Sequence, residues 1–279
     1  SHDGTLRNED GDLSMKASWK ILATVLIVLT ALLLSPLTRD IPVTAQLQGT
    51  LGIDTNPLPD FAQYSNVQQK KQAFFGYLQP MVNANNQRLL QARRRLLAMA
   101  AAPIDQLGYA DQRFVENLAE YYEVETDIGA EAQLQELLLR VDIVPVSLAL
   151  SQAAMESAWG TSRFALEGNN LFGQWCYQAG CGIVPARRGE GQVHEVASFT
   201  NVAAAVASYM RNINSHRAYD GLRAARASLR ASGESISGHA MAEHLLRYSE
   251  RGHAYVEEIQ SMIRINKLAT LDQPPPTQS

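Results

Sequence analysis

The chain has 279 residues, of which 46% are hydrophobic and 19% are charged, which is ordinary for a globular protein of one large or two small domains. Its formal net charge of −4 argues against nucleic acid as the main partner. Two arginine clusters, Arg93-Arg94-Arg95 and Arg187-Arg188, are local exceptions, and such clusters are more typical of a solvated helix face or loop.

An uncharged, mostly apolar stretch covers residues 21–38 and follows Lys16 and Lys20. Its length lies between that of the apolar core of a signal peptide and that of a short membrane span. The preceding lysines favour a chain that starts in the cytoplasm and whose remainder is exported. A small-residue sequence typical of a cleavage site occupies residues 43–45, but it lies well beyond the apolar run. We therefore predict that residues 1–20 form a tail before an uncleaved membrane anchor, with a cleaved signal as the alternative.

Cys176 and Cys181 are the only cysteines of the chain. In an exported protein such a close pair favours a disulfide. A zinc site would need two further ligands, and the nearest candidate, His194, stands alone. His239 and His244 are five residues apart, a spacing that does not place both on one helix face. We predict a disulfide, no metal site and no cofactor.

Residues 39–60 contain several prolines and glycines without a periodic pattern, and they predict a linker. Amphipathic helical patterning begins near Asn66, where Pro80 is expected to kink or divide the helix and Pro103 to end it. Two further short amphipathic helices follow. We assign residues 61–141 to a helical segment that packs on the domain after it.

The most apolar helix is predicted between Pro145, which suits a first helical turn, and Gly160, which suits a stop. Its small apolar side chains predict burial nearly all round. Glu156 is the exception, near the carboxyl end. Burial and the unpaired carbonyls of a helix end both disfavour a charged carboxylate, so the pattern predicts a raised pKa and a group able to donate a proton. The alternative is an exposed glutamate whose apolar neighbours face elsewhere.

A turn rich in amide side chains, Gly168-Asn169-Asn170-Leu171-Phe172-Gly173-Gln174-Trp175, follows this helix. Carbohydrate grooves use asparagine amides for hydrogen bonds and flat aromatic faces for stacking on sugar rings. The alternative is a helix-terminating turn with buried aromatic side chains. The candidate substrate-binding residues of this turn are Asn169, Asn170, Phe172 and Trp175.

From Cys176 to Phe199, proline and glycine turn residues flank short alternating runs, which predicts a small β-hairpin lobe. Helical patterning resumes at Thr200 or Asn201. Three more helices are predicted, at Tyr219–Arg230, Ile236–Arg247 and His253–Leu268. Residues 270–279 predict a disordered tail. The fold class is therefore mainly α (α+β), with one small β excursion after the buried helix.

Two motifs together carry a family resemblance: MESAWGTS at Met155–Ser162 and GNNLFG at Gly168–Gly173. They resemble the signature of the endo-β-N-acetylglucosaminidases of the flagellar-muramidase and autolysin type. The chain is more similar to the Bax protein group of Gram-negative bacteria, through LPDF at 58–61, KQAFF at 71–75 and the spacing W-C…G-C-G at 175–182.

The resemblance covers residues 57–268 and implies a lysozyme-like fold for a catalytic domain over residues 142–269. It implies a peptidoglycan hydrolase that cuts the glycan backbone between N-acetylglucosamine and N-acetylmuramic acid. It places this domain in the periplasm, at the inner membrane if the anchor is retained. Ser157 and Trp159 are expected to support the site structurally.

By that resemblance, Glu156 matches the general acid that protonates the leaving oxygen. Glu195 is the best positional match for a second carboxylate, and Glu190 is the alternative. If neither carboxylate acts, the N-acetyl group of the substrate attacks and a tyrosine such as Tyr255 assists. Tyr248 and Tyr255 match the aromatic motif that lines a subsite in the family, although the proline of that motif is missing here.

Three other functions are compatible with the pattern. A lytic transglycosylase would use the same lone glutamate but would form a 1,6-anhydro product. A non-catalytic, membrane-tethered wall-binding protein would use the groove for adhesion and would not need Glu156. A cysteine-dependent peptidase would need a free thiol near a histidine, which a disulfide between Cys176 and Cys181 argues against.

Overall fold

A computed structural model of the chain describes residues 56–186, 191 and 193–272, all of which belong to one compact unit. The predicted tail and anchor and most of the predicted linker lie outside the described residues, as does Glu190. Among the residues that are described, no helix is both long enough and apolar enough to cross a membrane.

The described residues form nine α-helices and three short strands. The helices are α1 Val67–Ala100, α2 Tyr109–Tyr121, α3 Ala130–Arg140, α4 Val146–Glu156, α5 Arg163–Gly168, α6 Val202–Ser215, α7 Asp220–Ser232, α8 Gly238–Ala242 and α9 His253–Ile265. The strands are β1 Trp175–Cys176, β2 Gly182–Ile183 and β3 Glu195–Ala197, and 3-10 turns lie at Phe61–Gln63, Ile104–Gln106, Arg217–Tyr219 and Leu268–Asp272. The protein is mainly α with one small sheet, as predicted.

Helix α1 begins as the sequence predicts, because the Asn66 side chain accepts a hydrogen bond from the Gln69 amide at 3.0 Å. Pro80 lies inside this helix, which continues to Ala100, so the expectation that Pro80 divides it was wrong. The reason is packing: buried side chains flank the proline on both sides, and they offset the one backbone hydrogen bond that it removes. The helix packs on α3, α4 and α6 and shares one core with them.

Helix α4 is the central element of the fold. Every residue from Val146 to Ala154 is buried, which confirms the predicted burial. The helix contacts α1, α8, α9 and the last 3-10 turn. Gly238 of α8 allows a close approach, because a β-carbon there would lie 2.1 Å from Oγ of Ser147. The helix ends at Glu156, so the predicted acid is its last residue.

The β lobe differs in topology from the predicted hairpin. Its three strands are antiparallel in the order β1-β3-β2, with β3 in the centre. Trp175 pairs with Val196 on one side of β3, and Ile183 pairs with the same valine on the other side. Cys176 and Cys181 form a disulfide that closes the connection between β1 and β2. The pattern of turn residues indicated a β excursion but not which strand would be central.

A buried ion cluster fixes the turn between α3 and α4. Asp142 is 2% exposed, and Arg230 of α7 donates to both of its carboxylate oxygens. Arg226 of α7 donates to backbone carbonyls of the turn, and Arg93 of α1 reaches the carboxylate at 3.5 Å. Burial raises the pKa of Asp142, but the three guanidinium groups outweigh it and hold that pKa below its usual range. Arg93 was expected to lie on a solvated helix face. It instead contacts the buried Asp142 carboxylate.

The carboxyl-terminal helices also differ from the predicted ranges. Helix α8 is much shorter than predicted, and the last 3-10 turn extends to Asp272, beyond the predicted domain end at residue 269. The carboxylate of Asp272 accepts hydrogen bonds from the amide and hydroxyl of Ser147 and from the Gly238 amide, at 2.6–2.9 Å. Asp272 thus caps the start of both α4 and α8.

We expect Asp272→Ala to lower the free energy of unfolding by about 2–3 kcal/mol, because it leaves donors at two helix starts without an acceptor. Thr270→Ala, in the same turn, is the matched control. Thr270 is exposed and its hydroxyl donates only to the nearby Lys267 carbonyl, so we expect a loss within about 0.5 kcal/mol. Urea unfolding followed by circular dichroism measures both variants, and equal losses would contradict the capping role.

Candidate active site

Glu156 lies where α4 ends, with its side chain partly buried. Burial raises the pKa of its carboxyl group, as the sequence predicted. A hydrogen bond from Tyr255 and the positive charge of Arg251 act in the opposite direction without cancelling the effect of burial. The carboxyl group therefore retains its proton at a higher pH than an exposed glutamate, which is what a general acid requires.

The backbone immediately after Glu156 is strained. Ala158 and Trp159 have φ angles of 50° and 62°, and Gly160 follows at 75°. Two non-glycine residues in the left-handed region cost about 1–2 kcal/mol each, so surrounding contacts must hold them. Ser157 provides two of these contacts: its hydroxyl donates to the Ala153 carbonyl at 2.6 Å and accepts from the Gly160 amide at 2.8 Å. Ser157 is thus a structural support, as expected.

Side chains from the amino-terminal part of the domain support the same turn. The Trp159 ring packs edge-on against Phe74 and Phe75 of α1, with centroid separations of 5.6 and 5.3 Å. Gly160 faces the Phe61 ring so closely that a β-carbon would lie 2.6 Å from it. The predicted helical segment therefore holds the turn that carries the acid, and Trp159 is part of that contact.

Tyr255 of α9 is 2% exposed and acts on Glu156. Its hydroxyl is a donor for the carboxylate and lowers the pKa of Glu156, against the effect of burial. The same hydroxyl accepts a hydrogen bond from Nε2 of Gln152 at 3.0 Å, and Oε1 of Gln152 accepts one from the Tyr209 hydroxyl at 2.6 Å. Burial first, and then the Glu156 charge, raise the pKa of Tyr255, so its hydroxyl stays protonated and acts as a donor.

Tyr248, which is predicted to line a substrate subsite, lies against Tyr255. Its ring stacks on the Tyr255 ring at 5.5 Å with an interplanar angle of 8°. Its hydroxyl donates to the Phe172 carbonyl at 2.8 Å. Tyr219 lies beside it at 6.2 Å, and burial raises the pKa of Tyr219 to about 12. Tyr248 therefore supports the catalytic tyrosine candidate and ties it to the loop after α5.

The loop after α5 passes directly against the acid. Gly173 has a φ of 63°, and a β-carbon there would lie 3.3 Å from Oε2 of Glu156. A side chain at this position would be strained and would press on the carboxylate, so glycine fits both requirements. This contact, which a sequence motif alone does not show, brings the GNNLFG turn and the acid together.

The two asparagines of this loop bind backbone groups of the fold. Asn170 is buried, donates from Nδ2 to two backbone carbonyls, and accepts from two backbone amides at Oδ1. Asn169 adopts the left-handed conformation that ends α5, and its Nδ2 donates to the Phe199 carbonyl at 2.9 Å. These hydrogen bonds shape the loop, and a contact of either asparagine with substrate stays a prediction.

The aromatic residues of the loop divide between core and surface. Phe172 is 1% exposed and stacks on Tyr209 at 4.1 Å, so the buried-aromatic alternative holds for it. Trp175 is 56% exposed, and its ring stacks on His194 of the neighbouring chain segment at 4.1 Å. Trp175 follows Gly173 by two residues, so its backbone lies within about 7 Å of the glycine that passes the acid.

Glu195, the predicted second carboxylate, lies in the centre of the β lobe and is 6% exposed. Its two oxygens accept hydrogen bonds from the Gly180 amide at 3.0 Å and the Gly182 amide at 2.9 Å. Glu195 therefore holds the disulfide loop closed, and its role as the second carboxylate stays a prediction. Its carboxylate and the sulfurs of Cys176 and Cys181 form a group with metal-ligand spacing, but the disulfide uses both sulfurs.

Sequence reasoning did not identify Gln152 and Tyr209 as site residues. The sequence signal for Gln152 is a polar residue in an apolar helix, one turn before Glu156. Tyr209 fitted the apolar stripe of α6 and was indistinguishable from an ordinary core residue.

Comparison with known proteins gives two similarities. A family model described as mannosyl-glycoprotein endo-beta-N-acetylglucosaminidase matches residues 131–268. The chain is also similar to Protein bax of Escherichia coli (strain K12), with 31% identity over 214 residues that make up 76% of each chain. No solved structure matches the chain. The family match includes Glu156 and Tyr255 but not α1, which supports the turn after the acid.

Proposed function

The chain belongs to the Bax protein group and carries an endo-β-N-acetylglucosaminidase domain, and from this premise we propose that it hydrolyses the glycan strands of peptidoglycan with Glu156 as the general acid. The observation that carries the proposal is the partly buried Glu156 carboxyl group, whose pKa is raised by burial and which Tyr255 hydrogen-bonds. An exposed aromatic face on Trp175, close in the chain to the glycine that touches this acid, suits stacking on a sugar ring.

In the proposed reaction Glu156 gives its proton to the glycosidic oxygen as the bond from that oxygen to the anomeric carbon breaks. The hydrogen bonds of Glu195 to two backbone amides favour the substrate's N-acetyl oxygen as the group that attacks this carbon. Water then opens the cyclic intermediate and the proton returns to Glu156. Tyr255 donates to the Glu156 carboxylate while that carboxylate is charged. This route retains the anomeric configuration.

We propose a lysozyme-like arrangement for the catalytic domain, with α4 as the helix that carries the acid. The proposed location is the periplasmic face of the inner membrane, on the grounds of the apolar stretch at residues 21–38 and the disulfide between Cys176 and Cys181. The proposed partners are peptidoglycan and the membrane lipids around that stretch.

The pH dependence of activity tests the assignment of the acid. A general acid is active when protonated, so hydrolysis should decline as the pH rises through the pKa of Glu156. Because burial raises that pKa, we expect the decline to lie above the range of an exposed glutamate, which is about 4.3. Release of soluble fragments from purified peptidoglycan by the chain from Gln46 onward, measured from pH 4 to pH 9, gives the profile. A rate that increases throughout this range would contradict the assignment.

A further inference from the structure

Gln152 is a fully buried polar side chain one helical turn before the acid. A buried primary amide needs partners for its oxygen and its nitrogen, and Gln152 has a tyrosine hydroxyl at each end, at 2.6 Å from Tyr209 and at 3.0 Å from Tyr255. The amide therefore links a tyrosine of α6 to a tyrosine of α9 across the central helix, and the second tyrosine contacts Glu156.

The direction of these hydrogen bonds follows from their chemistry. The Tyr255 hydroxyl has one proton and lowers the pKa of Glu156, so toward the Glu156 carboxylate it can only be the donor. Its oxygen then accepts, so the nitrogen of Gln152 faces Tyr255 and the oxygen of Gln152 faces Tyr209. The Tyr209 hydroxyl donates to that oxygen. The donors thus run in one sense, from Tyr209 through Gln152 and Tyr255 to Glu156.

We propose that Gln152 and Tyr209 are positioning residues of this site, whose hydrogen bonds keep the hydroxyl proton of Tyr255 directed at the Glu156 carboxyl group. The series of contacts from Tyr209 to Glu156 is called the donor relay below. The catalytic consequence rests on the proposed function, but the hydrogen bonds and their effect on Glu156 do not.

The donor relay matters most when the acid has released its proton. A carboxylate then forms in a partly buried place, and burial disfavours it. A donor that is already aligned stabilises this charge without reorganisation, and hydrogen bonds in series strengthen one another. If the Gln152 amide were free to turn over, the Tyr255 proton could be attracted to the amide oxygen instead, and the carboxylate would lose its donor.

The other titratable groups around Glu156 cannot replace the donor relay. Arg251 is exposed, pairs with Glu258, and acts on Glu156 through its charge. Burial keeps the pKa of Tyr248 well above its ordinary value and raises that of Tyr219 to about 12, so both are neutral. The Tyr248 hydroxyl donates to the Phe172 carbonyl instead. The donor relay therefore connects side chains of α4, α6 and α9 to the acid by hydrogen bonds.

Two variants of the full chain test the donor relay. Tyr209→Phe removes one hydroxyl and leaves the Gln152 amide free to turn over. Gln152→Glu replaces the donor with a second acceptor, so that the Tyr255 proton is drawn away from Glu156. Tyr219→Phe is the matched control, because it removes a hydroxyl from a buried tyrosine near Glu156 that is outside the donor relay.

The first measurement is a titration of the Glu156 carboxyl carbon by NMR in protein labelled with ¹³C-glutamate, with the signal assigned from its absence in Glu156→Gln. We expect the pKa of Glu156 to rise by about 0.5–1 unit in Tyr209→Phe, the equivalent of one hydrogen bond, and by more in Gln152→Glu. In Tyr219→Phe it should stay within about 0.2 units of the original value. An unchanged pKa in Tyr209→Phe, or an equal rise in the control, would overturn the proposal.

The second measurement is the rate of peptidoglycan hydrolysis as a function of pH. We expect kcat to fall about tenfold in Tyr209→Phe with KM unchanged, and the decline at high pH to move upward with the pKa of Glu156. If Tyr209 has only a structural role, Tyr209→Phe lowers the stability of the protein, and its activity declines at the same pH as that of the unchanged protein. That result would also overturn the proposal. If no form of the protein hydrolyses peptidoglycan but the titration shifts as expected, the proposed function fails and the donor relay stands.

Discussion

Glu156→Gln should lower the rate of peptidoglycan hydrolysis by about a hundredfold to ten-thousandfold and leave the folded protein as stable as before. Glutamine keeps the shape of the side chain and still accepts a hydrogen bond from Tyr255, but it has no proton to give to the leaving oxygen. Because the charged form of Glu156 is disfavoured by burial, a neutral amide in its place introduces no new cost. Initial rates of fragment release and the midpoint of thermal unfolding measure the two effects separately.

Glu167→Gln is the matched control for this prediction. Glu167 belongs to α5, is exposed, and pairs with Arg163 on the surface at 3.1 Å. The same chemical change there should leave the rate within about twofold of the original and change stability by less than about 0.5 kcal/mol. If Glu156→Gln retained a rate comparable with that of this control, Glu156 would not be the general acid.

Asp142→Ala should have the largest effect on stability, a loss of about 3–5 kcal/mol in the free energy of unfolding. Arg226 is fully buried, and its positive charge is compensated by the Asp142 carboxylate. Without that carboxylate, Arg226 and Arg230 remain close together with no anion between them. Urea unfolding at pH 7 measures the loss.

Asp111→Ala is the control, because Asp111 binds Arg95 in a similar pair that is about 40% exposed. Its loss should stay below about 1 kcal/mol. The pKa of Asp142 is held below its ordinary value, so its contribution to stability is present above about pH 4 and is lost as the pH falls through the lower folded value. The stability of Asp142→Ala should therefore fall less between pH 4 and pH 2 than that of the unchanged protein. A parallel fall would contradict the role of the ion cluster.

Local patterns were sufficient to predict the helix that carries the acid. The apolar composition of α4, the proline before it and the glycine after it are local signals, and they located Glu156 near a buried helix end. The same holds for the start of α1 at Asn66, where the capping side chain and its partner are three residues apart.

The contacts of the loop residues within the fold could not be predicted in this way, because the same side chain can bind a sugar or the backbone. The amide of Asn170 has the chemistry of a sugar ligand, yet it binds four backbone groups of the fold. Glu195 has the chemistry of a base, yet it binds two amides of the disulfide loop. Which partner each one meets is decided by tertiary contacts that a motif does not contain.

Mass spectrometry of the fragments released from purified peptidoglycan, by the unchanged protein and by Glu156→Gln in parallel, tests the central claim most directly. A glucosaminidase that uses Glu156 produces fragments with N-acetylglucosamine at the reducing end from the unchanged protein and few or none from the variant. Fragments that end in 1,6-anhydro-N-acetylmuramic acid would show a lytic transglycosylase. The absence of fragments from both proteins, with binding to peptidoglycan retained, would contradict the catalytic role of Glu156.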